Sequence, residues 1–171
     1  MLTALSAAII AAVASLAGVT LGALVEPLKL NAARRAKLRQ DRADRCAGLI
    51  EAAVRARQHI IDINVVHRRC KIGDALEGDE QRQNDYEDAY YTARAQMRSF
   101  FGLLVMSGPD ELIDQVRVLR KADMDLHHVR FELDSDGKFD RNVLPQKVRK
   151  ATTGLDLAIE DFAVVARKYT A

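Results

Sequence analysis

The chain has 171 residues, with 26 Lys and Arg against 24 Asp and Glu and a formal charge of +2. That length suits one domain able to bury a core without metal or disulfide staples, and an apolar share of 49% with 29% charged residues excludes wholesale disorder. Aromatic residues make up 5%, Trp is absent and β-branched runs are few, which argues against a sandwich or barrel.

The averages conceal an uneven chain. Met1 to Val25 reads MLTALSAAIIAAVASLAGVTLGALV, with no charged side chain and only Thr3, Ser6, Ser15 and Thr20 as polar interruptions. As a helix it is about 37 Å long, enough to cross a hydrocarbon core of about 30 Å. A helix of a soluble bundle has no need to be apolar on every face, so a transmembrane helix is expected over 1–25. A cleaved signal peptide would open with Lys or Arg and carry an apolar region of only about 7 to 15 residues, although small residues here do supply Ala-x-Ala-like sites. A buried central helix is the other rival, but residues 26–171 look able to close a core without it. Ala14, Gly18 and Gly22 recur once per turn, a face on which helices in lipid approach closely and self-associate.

A basic stretch follows, carrying Lys29, Arg34, Arg35, Lys37, Arg39, Arg42 and Arg45. The positive-inside bias then puts the N-terminus outside and the rest of the chain in the cytoplasm, at the cell membrane. In that reducing compartment Cys46 and Cys70 are expected to be free thiols. Residues 26–45 read as a juxtamembrane stalk, in which the basic stretch 28–45 is a helix of about 27 Å. Lys29, Arg34, Arg35, Lys37 and Arg39 are its candidates for contact with anionic headgroups, each contributing about 1 kcal/mol before screening. Asp41 and Asp44 dilute the farther half. Without aromatic stacking residues or a recognition motif, nucleic acid is not an expected partner.

Beyond the stalk, Cys46, Leu49, Ala53, Ala56, Ile60, Ile63, His67 and Cys70 alternate steps of three and four, a coiled-coil-like seam that Gly73 stops. Residues 73–85 are acidic and read as a loop leading into a helix, whose face Tyr86, Tyr90, Ala93, Met97, Phe100 and Leu104 carry to about Met106. Ser107-Gly108-Pro109-Asp110-Glu111 is a break and a new helix start, with acids near the positive dipole end. Leu112, Val116, Leu119, Leu126, Val129 and Leu133 mark the third face. Asp134-Ser135-Asp136-Gly137 breaks it, and Pro145 opens a last helix through Val148, Leu155, Ile159, Phe162, Ala166 and Tyr169. Helices of similar length joined by short connections favour an antiparallel up-down four-helix bundle over 46–171. The expected fold is therefore all-α: a single transmembrane helix continuing through a basic stalk into that bundle, basic near the lipid and acidic in the far loops.

Motifs for chemistry are sparse. The loop from Glu132 offers an EF-hand-like register through Asp134, Asp136 and Asp140, with Gly137 at the sharp turn. The twelfth position, where a bidentate Glu belongs, is Val143, so a plain Asp-Gly turn is the expectation. His67 and Cys70 share a helix face, yet both lie on the apolar seam, and no Cys-x-x-Cys accompanies them. Asp125 and His128 supply half of a di-iron arrangement whose other half is missing. There is no Gly-x-Ser-x-Gly, phosphate loop or Rossmann glycine pattern. No catalytic residue, metal or cofactor is expected, and the chain is not read as an enzyme. The run Phe100 to Met106 is too short to span a bilayer and is core plus helix end, or a docking patch. The functional expectation is a membrane-anchored interaction or scaffold module that forms a homo-oligomer and holds a protein partner at the bundle. The alternative is a membrane-active effector whose spans assemble and perturb the bilayer under control of the bundle.

Overall fold

The computed structural model describes residues 2–133 and 144–170, with side chains described from Glu26 onward within those ranges. Among them the chain is helical without strands: α1 (Leu2–Ile72), α2 (Asp79–Ser107), α3 (Asp110–His128) and α4 (Gln146–Thr170). It divides into two compact units, residues 1–40 and 41–171.

The first unit holds α1 up to residue 40, with Pro27 inside the helix. Pro lacks an N–H, so the helix forgoes one internal hydrogen bond there. Among the described residues no helix is long and apolar enough to cross a membrane. The span expected over 1–25, with Ala14, Gly18 and Gly22, lies outside the described side chains.

The second unit is a bundle in which neighbouring helices run antiparallel. Along α1 and α2, contacts pair Arg45 with Ser107, Arg55 with Gln96 and Arg69 with Asp79, so one number falls as the other rises. The same reversal relates Tyr90 and Arg94 on α2 to His127 and Asp123 on α3. Glu111 and Glu132 on the α3 side meet Lys168 and Lys147 of α4. Finally Arg42 and Arg57 of α1 reach Tyr169 and Asp156 of α4, which closes the ring. Arg42 and Arg45, the last cations of the basic stretch, thus bond within the bundle.

Burial follows the three-four spacing. Leu49, Ala53, Ala56, Ile60 and Ile63 of α1 are fully buried in one cluster with Met97, Leu104, Leu112, Val116, Leu119, Leu155 and Phe162. The seam then departs from expectation at its far end, where Val66 is buried and His67 and Cys70 are only half-buried.

Two ends are set by polar side chains. The α1–α2 turn needs Gly73 and Gly78 at φ of +79° and +78°, a region costly for residues with a Cβ. It is closed by Asp79, whose side chain is 1% exposed: Arg69 donates Nε and Nη2 to it, Arg82 donates Nε, and the Leu76 amide donates as well. This carboxylate starts α2 earlier than the acidic loop expected over 73–85. α3, by contrast, stops at His128 although its apolar pattern runs to Leu133. Buried Asn64 of α1 donates its amide to the carbonyls of Arg130 (3.4 Å) and Glu132 (2.9 Å), satisfying them outside a helix.

One close approach depends on a missing side chain. A Cβ on Gly48 would sit 2.4 Å from the Phe100 ring. Gly48→Leu is expected to destabilise the bundle by about 1–3 kcal/mol despite a better helix propensity, measured by denaturant unfolding of the full chain in mild detergent. The Arg69 guanidinium holds the Asp79 carboxyl at about 2, from an ordinary 3.8. Its stabilisation is present above 3.8 and is lost as pH falls toward 2. The unfolding midpoint is expected to drop through that window, and Asp79→Asn to remove that part of the pH dependence.

Candidate functional site

The five candidate lipid-contact residues all lie in the first unit, where residues 26–40 are exposed throughout. At about 100° per residue, Lys29, Arg34, Arg35, Lys37 and Arg39 are spread around the helix rather than gathered on one side. A helix lying flat on a membrane needs one apolar and one charged face. Here Leu28, Leu30 and Leu38 are exposed between the cations, so the segment is a collar of charge with no lipid-facing side.

Inside the bundle the densest chemistry sits between α2 and α3. Arg94 donates Nε to both carboxylate oxygens of Asp123, at 3.1 and 2.9 Å, with side chains 9% and 6% exposed. Burial pushes the Asp123 carboxyl up against the pull of Arg94. The Arg94 guanidinium also lies 5.8 Å from the centre of the buried Tyr90 ring. Tyr90 Oη is 2.9 Å from Nδ1 of His127, whose Nε2 lies 3.3 Å from Nη1 of Arg130. Arginine only donates, so Nε2 accepts and Nδ1–H donates to the tyrosine oxygen. Burial, reinforced by Arg94 and Arg130, holds His127 down at about 4, and burial pushes the Tyr90 hydroxyl up. A neutral imidazole with so little proton affinity makes a poor general base near neutrality. The arrangement therefore acts as a polar clasp between two helices.

The other titratable candidates are separated. His128 donates Nδ1–H to the Met124 carbonyl at 2.7 Å, so it points away from His127's partner. His67 packs 5.1 Å from the Phe131 ring, and burial lowers its pKa. Cys46 is a buried free thiol raised by burial, and Cys70 is a half-buried one. Among the described residues no group of three or more His, Cys, Asp or Glu is placed to hold a metal ion. The EF-hand-like positions Asp134, Asp136 and Asp140 lie outside the described residues, while Glu132 pairs with Lys147.

Two surfaces remain open. At the C-terminal end of α2, Leu103, Val105 and Met106 are exposed, Met106 at 86%, while Phe101 and Leu104 of the same run are buried. Between α3 and α4 runs a groove of about 680 Å³, with Val118, Ala122, Gly154 and Leu157 among its lining residues. No family model, no curated protein and no solved structure matches the chain.

The Arg94–Asp123 pair was absent from the expected sites, although the sequence carries a faint mark: between Leu119 and Leu126 the α3 face offers only the small Ala122, and the buried Asp123 sits beside it. Arg94→Met alone is expected to cost about 3–5 kcal/mol because it strands a buried carboxylate. Asp123→Leu alone should cost a similar amount, and the double variant much less than the sum. Chemical unfolding of the three variants reads this coupling.

Proposed function

We propose that this chain is a single-pass membrane protein that displays its helical bundle at the cytoplasmic face as an interaction module. The observation that carries the reading is the junction near residue 26, where an uncharged 25-residue segment gives way to a helix bearing cations on every side. The first segment suits hydrocarbon by length and composition. The second suits the headgroup layer and the water beyond it when the helix stands along the membrane normal. There Lys29, Arg34, Arg35, Lys37 and Arg39 meet anionic headgroups and orient the chain. Ala14, Gly18 and Gly22 form the face through which spans associate. The bundle offers exposed apolar surface, at Met106 and along α3 and α4, to a protein partner.

The decisive experiment separates lysed cells by high-speed centrifugation. The full chain is expected in the pellet, resistant to alkaline carbonate and released by detergent, and a chain lacking 1–25 in the supernatant. Recovery of the full chain in the supernatant without detergent overturns the proposal. Measuring membrane potential on overproduction separates the module from an effector: the module leaves it unchanged, whereas depolarisation that Gly18→Leu/Gly22→Leu abolishes replaces the module with the effector.

A further inference from the structure

α4 carries two seams. Its inner one builds the core through Val148, Leu155 and Phe162. Its outer one steps by four and three through Lys150, Gly154, Leu157, Asp161 and Val164, all exposed. That spacing keeps the five residues on one side of the helix, the geometry of a helix-pairing stripe. Leu157 and Val164 are 56% and 51% exposed, two large aliphatic residues in register on one face. Beside Leu157, a Cβ built on Gly154 would meet nothing within 4 Å, so the α3–α4 groove is open at that point. Lys150 and Asp161 border the same groove, and neither makes an ion pair among the described residues.

Four of the five residues of the stripe complement one another when it is reversed. About a two-fold axis crossing α4 between residues 155 and 156, Lys150 falls opposite Asp161 and Leu157 opposite Gly154. Each contact occurs twice, as an isologous interface requires. We infer that two copies of this chain pair through α4 in antiparallel fashion, the Leu157 of each entering the groove of the other over Gly154 and each Lys150 meeting the other copy's Asp161. Parallel pairing would set Lys150 against Lys150 and Asp161 against Asp161, and like charges face to face oppose association. The inference uses only residues of the bundle and is an alternative to association through Ala14, Gly18 and Gly22, whose spans in one membrane run parallel.

Site-specific crosslinking of the full chain in detergent tests it. Two cysteines at position 150 in an antiparallel dimer are offset by about 16 Å along the helices, as are two at 161. With a short bis-maleimide, Lys150→Cys/Asp161→Cys is expected to crosslink to dimer, and either single variant to give no more than the parent chain, whose Cys46 and Cys70 set the background. Single reversals Lys150→Glu and Asp161→Lys should each weaken dimerisation roughly tenfold, because two attractive pairs turn repulsive, and the double reversal should restore it. Gly154→Leu should abolish the dimer with helix content unchanged, since leucine favours an exposed helix over glycine. Single-cysteine variants that crosslink as well as the double, or a double that never exceeds the parent, overturn the inference. Association through the span gives dimers insensitive to all of these substitutions, so the two contacts are told apart.

Discussion

What shapes the second unit is the need of four helices to hide four apolar stripes from water. Each fully buried Leu, Ile or Phe contributes about 1.5–3 kcal/mol, and the buried cluster draws such residues from every helix of the bundle. That force has no direction of its own. It brings helices together and leaves their vertical register loose, particularly where α1 offers Ala52, Ala53 and Ala56 to its neighbours. Register comes from polar side chains placed at three heights. Asp79 locks the α1–α2 turn, Arg94 and Asp123 clasp α2 to α3 at mid-height, and Glu111 takes Lys168 and the Tyr169 hydroxyl where α3 begins and α4 ends. A slip of one turn would strand a buried charge at the first two heights, which a purely apolar core would not forbid.

Helix number, order and inner faces were legible in the residues because period and breaks agree. Pro109 and Pro145 immediately precede α3 and α4, and their carbonyls accept the first amides of the following helices. The apolar residues read into the third and fourth faces are those the bundle buries, from Leu112 to Leu126 and from Val148 to Ala166, except Ile159, which is half-buried. The polar interior was harder to read. A charged residue at a core position looks like a surface residue until its partner is known, and that partner lies on another helix. Asn64 is the clearest case: nothing near it in the chain announces that its amide will satisfy carbonyls beyond the end of α3.

The candidate sites divide in the same way. Exposure of the cations over residues 26–40 follows from composition, and their spread around the axis from helical geometry. The histidines needed the fold. His127 and His128 are adjacent in sequence but meet different partners, one a buried tyrosine and the other a backbone carbonyl. Chemistry that looked available along the chain is consumed in holding the helices together. The outer side of α4 shows the converse, for its apolar residues serve no internal purpose and are free to face another molecule.

Cys46 has a practical consequence. The residue is 3% exposed and sits in the central cluster, and burial raises its thiol so that little thiolate is present. A maleimide or disulfide reagent reaches it only while the helices are apart, whereas Cys70 is half-buried beside the α1–α2 turn. The unmodified chain therefore carries its own stopwatch: the lag between derivatisation of its two sulfurs reports how often the bundle breathes, with no label engineered in.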